Sequence, residues 1–352
     1  LVQSIGQLET MDFYIGLLAI ILVLEGARRA VGLPITIIAA LFLAYAYFGQ
    51  SMPDFLAHRG QSLESIANLM FFSTDGILGT PISVSATYIF VFLLFGAFLV
   101  KTGVGQYFND LAVALAGKLT GGPAKVAIFS SALQGTISGS SVANVVTSGS
   151  YTIPMMKKLG YKKEFAGAVE AAASTGGQLM PPIMGAAAFL MVEFIGRGIT
   201  YWEIAKAAAI PALLYFTGIW IMTHFEAKRL GLRGLSDEEM PNRKEVLKKI
   251  YLLIPILLII VLMLTGTPVM KAALYGVLAC ILVGMFNKDT RLGPIDIIDA
   301  LVDGARTALG VVAATACAGI IVGVVVKTGL GLALANSLVK LAGGSIMLTL
   351  FL

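Results

Sequence analysis

The sequence predicts an all-α polytopic membrane protein, and three observations predict it. Of the 352 residues, 57% are hydrophobic and only 13% charged, against about 25% charged in an average soluble domain. Mean hydropathy is +0.88. Glycine, with 39 residues, is more frequent in membrane helices than in soluble ones. The third observation is a series of apolar runs near the ~20 residues that a spanning helix needs: residues 13–31, 33–49, 83–100, 209–225, 250–265, 269–286 and 307–326. Cys280 and Cys317 lie in apolar stretches and give no disulfide or zinc pattern. With only His58 and His224 present, His-rich metal chemistry is excluded.

The elements between these runs follow in order. Residues 226–249, EAKRLGLRGLSDEEMPNRKEVLKK, form one long hydrophilic stretch, read as a cytoplasmic linker between two membrane halves. Residues 126–156 are read as a hairpin that enters and leaves on one side, and 164–196 as a single crossing. Eighteen Lys and Arg then fall on the cytoplasmic side and four outside, as the positive-inside rule requires.

An internal repeat gives the second level of organisation. Lys101-Thr102-Gly103-Val104-Gly105 recurs as Lys327-Thr328-Gly329-Leu330-Gly331, and at the same offset Leu115-Ala116-Gly117 recurs as Leu341-Ala342-Gly343. In the first copy a helix lies between the two matches, with Phe108, Leu111, Ala112, Leu115 and Leu119 on one face, an interfacial pattern. The topology makes the copies inverted, an arrangement common among secondary transporters. The chain begins with Leu1 and its last residues, 346–352, fall where the second copy of the hairpin region would begin. The expectation is a fragment of a longer protein.

Chemistry concentrates at residues 126–156, which carry no charge, and 14 of the 21 residues 130–150 are Gly, Ser, Thr, Asn or Gln. Each limb of a hairpin here is too short to cross a hydrocarbon core of about 30 Å. Polar backbone at that depth is tolerated inside protein or beside a water-filled cavity, and its oxygens suit a hard cation. The next segment is a helical pattern broken by Gly176-Gly177-Gln178-Leu179-Met180-Pro181-Pro182 and resumed at Ile183. Proline removes a donor and clashes with the preceding turn, so free backbone groups gather beside the hairpin. Glu170 and Glu193 read as interfacial glutamates near helix ends. His224, beside Glu226 and Lys228, reads as a snorkelling residue. A Ser-based hydrolase would need a neighbouring base, and neither His lies near the Ser-rich run, so no enzyme is expected.

At these residues the sequence resembles a known family. The strings GTISGSSVANVVTSGS (135–150), EFAGAVEAAASTGGQLMPPIMGAAAF (164–189) and HFEAKRLGLRGL (224–235) resemble the permease of tripartite ATP-independent periplasmic (TRAP) transporters. The variant indicated is the TAXI type, in which small and large membrane subunits are fused. The resemblance implies an elevator-type transporter in the bacterial inner membrane that takes an organic acid from a periplasmic binding protein, coupled to Na+ or H+. It implies no cofactor, no other metal and no nucleic-acid partner. It also implies a cation site at Ser138, Gly139, Ser140, Ser141 and Asn144 of the hairpin with Gly176, Gly177, Gln178 and Pro181 of the break, and substrate contacts from Ser140, Ser141, Asn144 and Gln178. The implied division is 1–50 for helices at the small-subunit junction, 51–122 for a scaffold helix and arm, 123–225 for the transport domain, 226–249 for the linker, and 250–352 for a truncated second repeat. A stand-alone dicarboxylate symporter of related fold and a passive channel are the alternatives.

Overall fold

The computed structural model describes residues 9–53, 56–195, 199–286 and 291–351. Arg197 and Lys288, counted in the charge asymmetry, and the side chain of Glu193 lie outside the described residues. Among the described residues the chain is helical, without strands.

The helices are α1 (Thr10–Ala30), α2 (Leu33–Tyr47), α3 (Leu63–Phe71), α4 (Thr80–Lys101), α5 (Val104–Ala116), α6 (Gly122–Ser138), α7 (Ser141–Thr147), α8 (Gly149–Leu159) and α9 (Lys163–Gly176). They continue as α10 (Ala186–Ile195), α11 (Tyr201–Arg229), α12 (Arg243–Lys248), α13 (Ile254–Leu264), α14 (Val269–Phe286), α15 (Pro294–Thr328), α16 (Leu330–Leu341) and α17 (Ile346–Phe351). Among the described residues, α1, α4, α11, α14 and α15 are long and apolar enough to cross a bilayer. Helix α2 has 15 residues, about 22 Å of rise, short of a full crossing. The run at 250–265 opens with a 3-10 turn, Ile250–Leu253, before α13. The run at 307–326 is the C-terminal part of a longer helix of 35 residues.

The chain divides into two compact units, residues 1–86 with 308–352, and residues 87–307. In the first, Ile20, Ala27, Ala39, Ala46, Ile66 and Met70 form one core with Cys317, Ile320 and Val324. Helix α3, which the apolar-run reading passes over, is capped by the Ser62 hydroxyl and buries Ile66, Ala67 and Met70. The loop after α2 is fixed by His58: its Nδ1 accepts from the Gly60 amide at 3.1 Å, so Nε2 carries the hydrogen and donates to the Tyr45 carbonyl at 3.0 Å.

The second unit holds the hairpin. Helix α5 lies along α6 and buries Val104, Tyr107, Phe108, Asn109, Ala112, Val113 and Ala116. This divides the apolar stripe read from sequence: Phe108 and Ala112 are buried in the protein, Leu115 and Leu119 stay exposed, and the polar Asn109 points inward. Asn109 Oδ1 accepts from Ser130 Oγ and from Gln134 Nε2 at 3.2 Å, both on α6. Locally the two copies of the repeat share one conformation. Gly103 (φ 82) and Gly329 (φ 69) are left-handed caps before α5 and α16. Left-handed Gly121 and Gly343 follow those helices.

The hydrophilic stretch is a docked strap. The Leu235 amide donates to the Gly117 carbonyl at 2.8 Å, and Leu235 and Met240 pack on Ala112, Val113, Ala116 and Val126. Lys118 pairs with Asp237, and Lys158 Nζ reaches Glu239 Oε1 at 2.9 Å. The lysine hydrogen bonds hold both carboxyls below their ordinary range. A depressed carboxyl contributes stability above its unfolded value, about 4, and loses it as pH falls through the lower folded value. Limited proteolysis within residues 230–245 is therefore expected to accelerate at acid pH below that range and at high salt, since exposed pairs are screened. Equal cleavage rates at neutral and acid pH would show that the apolar contacts alone hold the strap.

Candidate functional site

The hairpin forms because α6 ends at Gly139, whose φ of 55 is a left-handed conformation open to glycine at little cost. Ser140 then caps α7, its hydroxyl accepting from the Ala143 amide at 3.3 Å. The chain reverses, and the limbs pair side by side: Thr147 donates to Gln134, and Asn144 Nδ2 donates to the Ser131 carbonyl at 3.1 Å. Helix α6 has 17 residues, about 26 Å of rise.

The helix break lies against this tip. Helix α9 ends at Gly176, a 3-10 turn covers Gly177–Leu179, and regular helix resumes at Ala186. The new limb starts three residues later than the Ile183 expected from sequence. The cause is local: Met184 adopts φ 55, which a bulky side chain rarely does, and the Gly185 amide turns back to the Gln178 carbonyl at 2.9 Å. A Cβ on Gly139 would collide with the Met184 carbonyl, and one on Gly135 with the Gly177 backbone. Only hydrogen fits at these two contacts, so tip and break share a backbone-to-backbone seam.

The structure brings most of the residues named from sequence to this seam. Asn144 is fully buried; its Oδ1 accepts from Ser138 Oγ at 2.7 Å, and its amide group lies over Gly177. Ser141 Oγ accepts from Gln178 Nε2 at 3.1 Å. Ser140 donates its amide to Ser138 Oγ at 3.3 Å. Gly176 lies instead under Tyr215 and Phe216 of α11, and among the described residues Pro181 makes no hydrogen bond to the tip. Beside the tip is a cavity of about 210 Å³. Its lining includes Ser138, Ser140 and Ile183, with Phe92, Gly96 and Lys101 of α4 and Asp303 of α15. Lys101 Nζ lies 3.4 Å from Asp303 Oδ2. Among the described residues no buried side-chain polar atom lacks a hydrogen bond. A cation at the tip would therefore use second lone pairs of carbonyls and hydroxyls or displace the Ser138–Asn144 bond.

Glu170 is also placed differently from the sequence reading. Glu170 is fully buried, not interfacial. Its Oε1 accepts from Ser131 and Ser174, each at 3.1 Å, and from Ser148; its Oε2 accepts from Thr152. The available signal was the pair Glu170 and Ser174, one turn apart on the same face as Ala166 and Ala173 in a helix otherwise rich in small residues. His224 binds Lys125 Nζ at 3.1 Å, with Lys125 over the Trp220 ring.

Comparison with known proteins gives the family of this chain. The family described as "Tripartite ATP-independent periplasmic transporter, DctM component" matches residues 18–352. The chain is 28% identical to the C4-dicarboxylate TRAP transporter large permease protein DctM of Vibrio cholerae, over 78% of this chain and 57% of that protein. It is 29% identical to the sialic acid TRAP transporter large permease protein SiaM of the same organism, over 60% and 50%. With the isethionate TRAP transporter permease protein DctMQ of Oleidesulfovibrio alaskensis it shares 25% identity over 87% and 44%. The chain thus spans about half the length of these curated relatives. These relatives are transporter permeases, not enzymes. By the extent of the family match, this chain belongs to the DctM component family of tripartite ATP-independent periplasmic transporters.

Proposed function

We propose that this chain is the membrane permease part of a binding-protein-dependent secondary transporter that takes up an organic acid with Na+ or H+. Family membership and the apolar helices make it a multi-pass inner-membrane protein. The observation that carries the transport reading is the seam where the Gly139 turn meets the Met184 carbonyl: two interrupted helices present oxygens at one place. Such interruptions, held inside protein, are where secondary transporters bind ions and substrate. The cation site of this proposal is formed by Ser138, Gly139, Ser140, Ser141 and Asn144 with Gly176, Gly177, Gln178 and Pro181. The substrate anion contacts Ser140, Ser141, Asn144 and Gln178 from the adjoining cavity.

The solutes named for the relatives, a C4-dicarboxylate, sialic acid and isethionate, are all small organic anions, which supports an organic acid here. The finer parts of the proposal are a TAXI-type fused permease, an elevator motion of the hairpin-bearing region, and a solute handed over by a periplasmic binding protein.

The test is uptake of labelled succinate, sialic acid and isethionate into proteoliposomes carrying the full-length permease. The expected result is accumulation that requires both the binding protein and an imposed Na+ or H+ gradient. Accumulation without the binding protein would favour a stand-alone symporter. Uptake that only equilibrates, whatever the gradient, would indicate a channel and refute the proposal.

A further inference from the structure

We propose that Glu170 is a proton-carrying carboxylate whose protonation is coupled to the hydrogen bonding of the hairpin tip. The proposal rests on the transport reading above and deepens it by assigning a coupling residue outside the tip–break seam.

The first ground is its setting. Glu170 is fully buried in α9, and an ionisable group inside a membrane protein is retained at a cost that function must justify. It takes part in none of the ion pairs among the described residues. The groups facing it are neutral hydroxyls from three neighbouring segments: Ser131 of α6, Ser148 and Thr152 of the second limb, and Ser174 of α9 itself. The other titratable groups on the elements packed against α9 are engaged or exposed elsewhere. Lys125 of α6 is held by His224 of α11. Tyr215 of α11 donates to the Ala172 carbonyl at 2.9 Å. Tyr151, Lys157 and Lys158 of α8 are exposed, as are Lys163 and Glu164 at the start of α9. Helix α7 has no titratable side chain.

The second ground is hydrogen counting. Each hydroxyl has one hydrogen and rotates freely. Ser148 Oγ lies within bonding distance of both Glu170 and the Asn144 carbonyl, the latter at 2.8 Å. Thr152 Oγ1 likewise reaches Glu170 and the Ser148 carbonyl, the latter at 3.0 Å. With the carboxylate ionised, all four hydroxyls donate to it. When a proton from bulk solvent binds, the new O–H donates to Ser148 or Thr152, and that hydroxyl turns its own hydrogen to the backbone carbonyl. One proton is gained, no bond between heavy atoms changes, and every donor keeps an acceptor. The cage therefore fits both protonation states in one heavy-atom frame, using the i−4 carbonyls that helical Ser and Thr hydroxyls commonly reach.

The third ground is the connection to the tip. Ser148 switches between Glu170 and the Asn144 carbonyl, Ser131 binds Glu170 while its carbonyl accepts from Asn144 Nδ2, and Asn144 Oδ1 holds Ser138. A proton on Glu170 changes the donation that the Asn144 carbonyl receives, and Asn144 contributes a fully buried side chain to the proposed cation site.

The experiment uses full-length permease in proteoliposomes with its binding protein, comparing wild type with Glu170→Gln, which keeps the shape but cannot exchange a proton. Wild-type initial uptake is expected to rise several-fold when the outside is acidified at fixed Na+ gradient. The variant should lose that rise while retaining measurable counterflow exchange. Infrared difference spectra across a pH step give a readout independent of transport: a protonated-carboxyl band expected in wild type and missing from the folded variant. Wild-type uptake indifferent to the proton gradient, a variant that keeps the response, or a carboxyl band unchanged in the variant would each overturn the assignment. Wild type that takes up solute with Na+ alone sinks this inference and leaves the transport reading standing. Wild type that shows no gradient-driven uptake sinks the transport reading, and the infrared band then decides separately whether Glu170 exchanges a proton.

Discussion

Replacing Asn144 by alanine is expected to weaken the apparent affinity for the coupling cation by roughly tenfold or more, about 1.4 kcal/mol for each factor of ten. Asn144 is buried and bridges the limbs: Nδ2 donates to the Ser131 carbonyl and Oδ1 accepts from Ser138. Alanine removes one oxygen from the proposed cation site and leaves Ser131 and Ser138 each short of a partner. Each hydrogen bond lost in this way costs about 0.5–1.5 kcal/mol, so part of the loss appears as lower thermal stability. The two effects separate by measurement. Cation titration of solute uptake gives the affinity, and a melting curve of the purified protein gives the stability. Ser141→Ala is the milder companion, because it removes one exposed bond, to Gln178. Unchanged cation dependence in both variants would remove the hairpin tip from the coupling mechanism.

The second large effect is expected at Gly139. Alanine there must adopt φ 55 and place its methyl group against the Met184 carbonyl. Overpacking of a tight site costs about 1–3 kcal/mol, and left-handed backbone at a non-glycine residue adds about 1 kcal/mol or more. The seam can relax only by moving the tip from the break, so transport should fall by more than the folded fraction does. Gly105→Ala is a useful control, because a Cβ there meets nothing within 4 Å. A Gly139→Ala protein with wild-type melting and uptake would show that the seam is loose.

Much of this architecture was legible because its signals are local. The reversal at Gly139 sits in a stretch too polar and too short for a crossing, and the interruption after Gly176 carries two glycines and two prolines whose backbone effects need no partner. The apolar runs located the long helices to within a few residues, except where a helix continued into polar sequence, as α15 does from Pro294. Helix α3 was passed over because its nine residues are too few to register as a span. The burial of Glu170 was legible only in part: Ser174, one turn on, marks its face, but the other hydroxyls that enclose it come from α6 and the second limb. The same holds for α5: a stripe drawn for a lipid surface could not anticipate that Asn109 turns inward to meet Ser130 and Gln134.

That inward turn has a mechanical consequence. Asn109 grips two side chains of the first limb, and Gln134 in turn holds Thr147 of the second, so α5 is tied directly to one half of the hairpin and through Gln134 to the other. Sliding α5 along α6 would strand several amide and hydroxyl groups in a dry interior. In the elevator motion proposed above, α5 would therefore move with the hairpin, and the left-handed Gly103 that leads into it is the corner at which a bend would be expected.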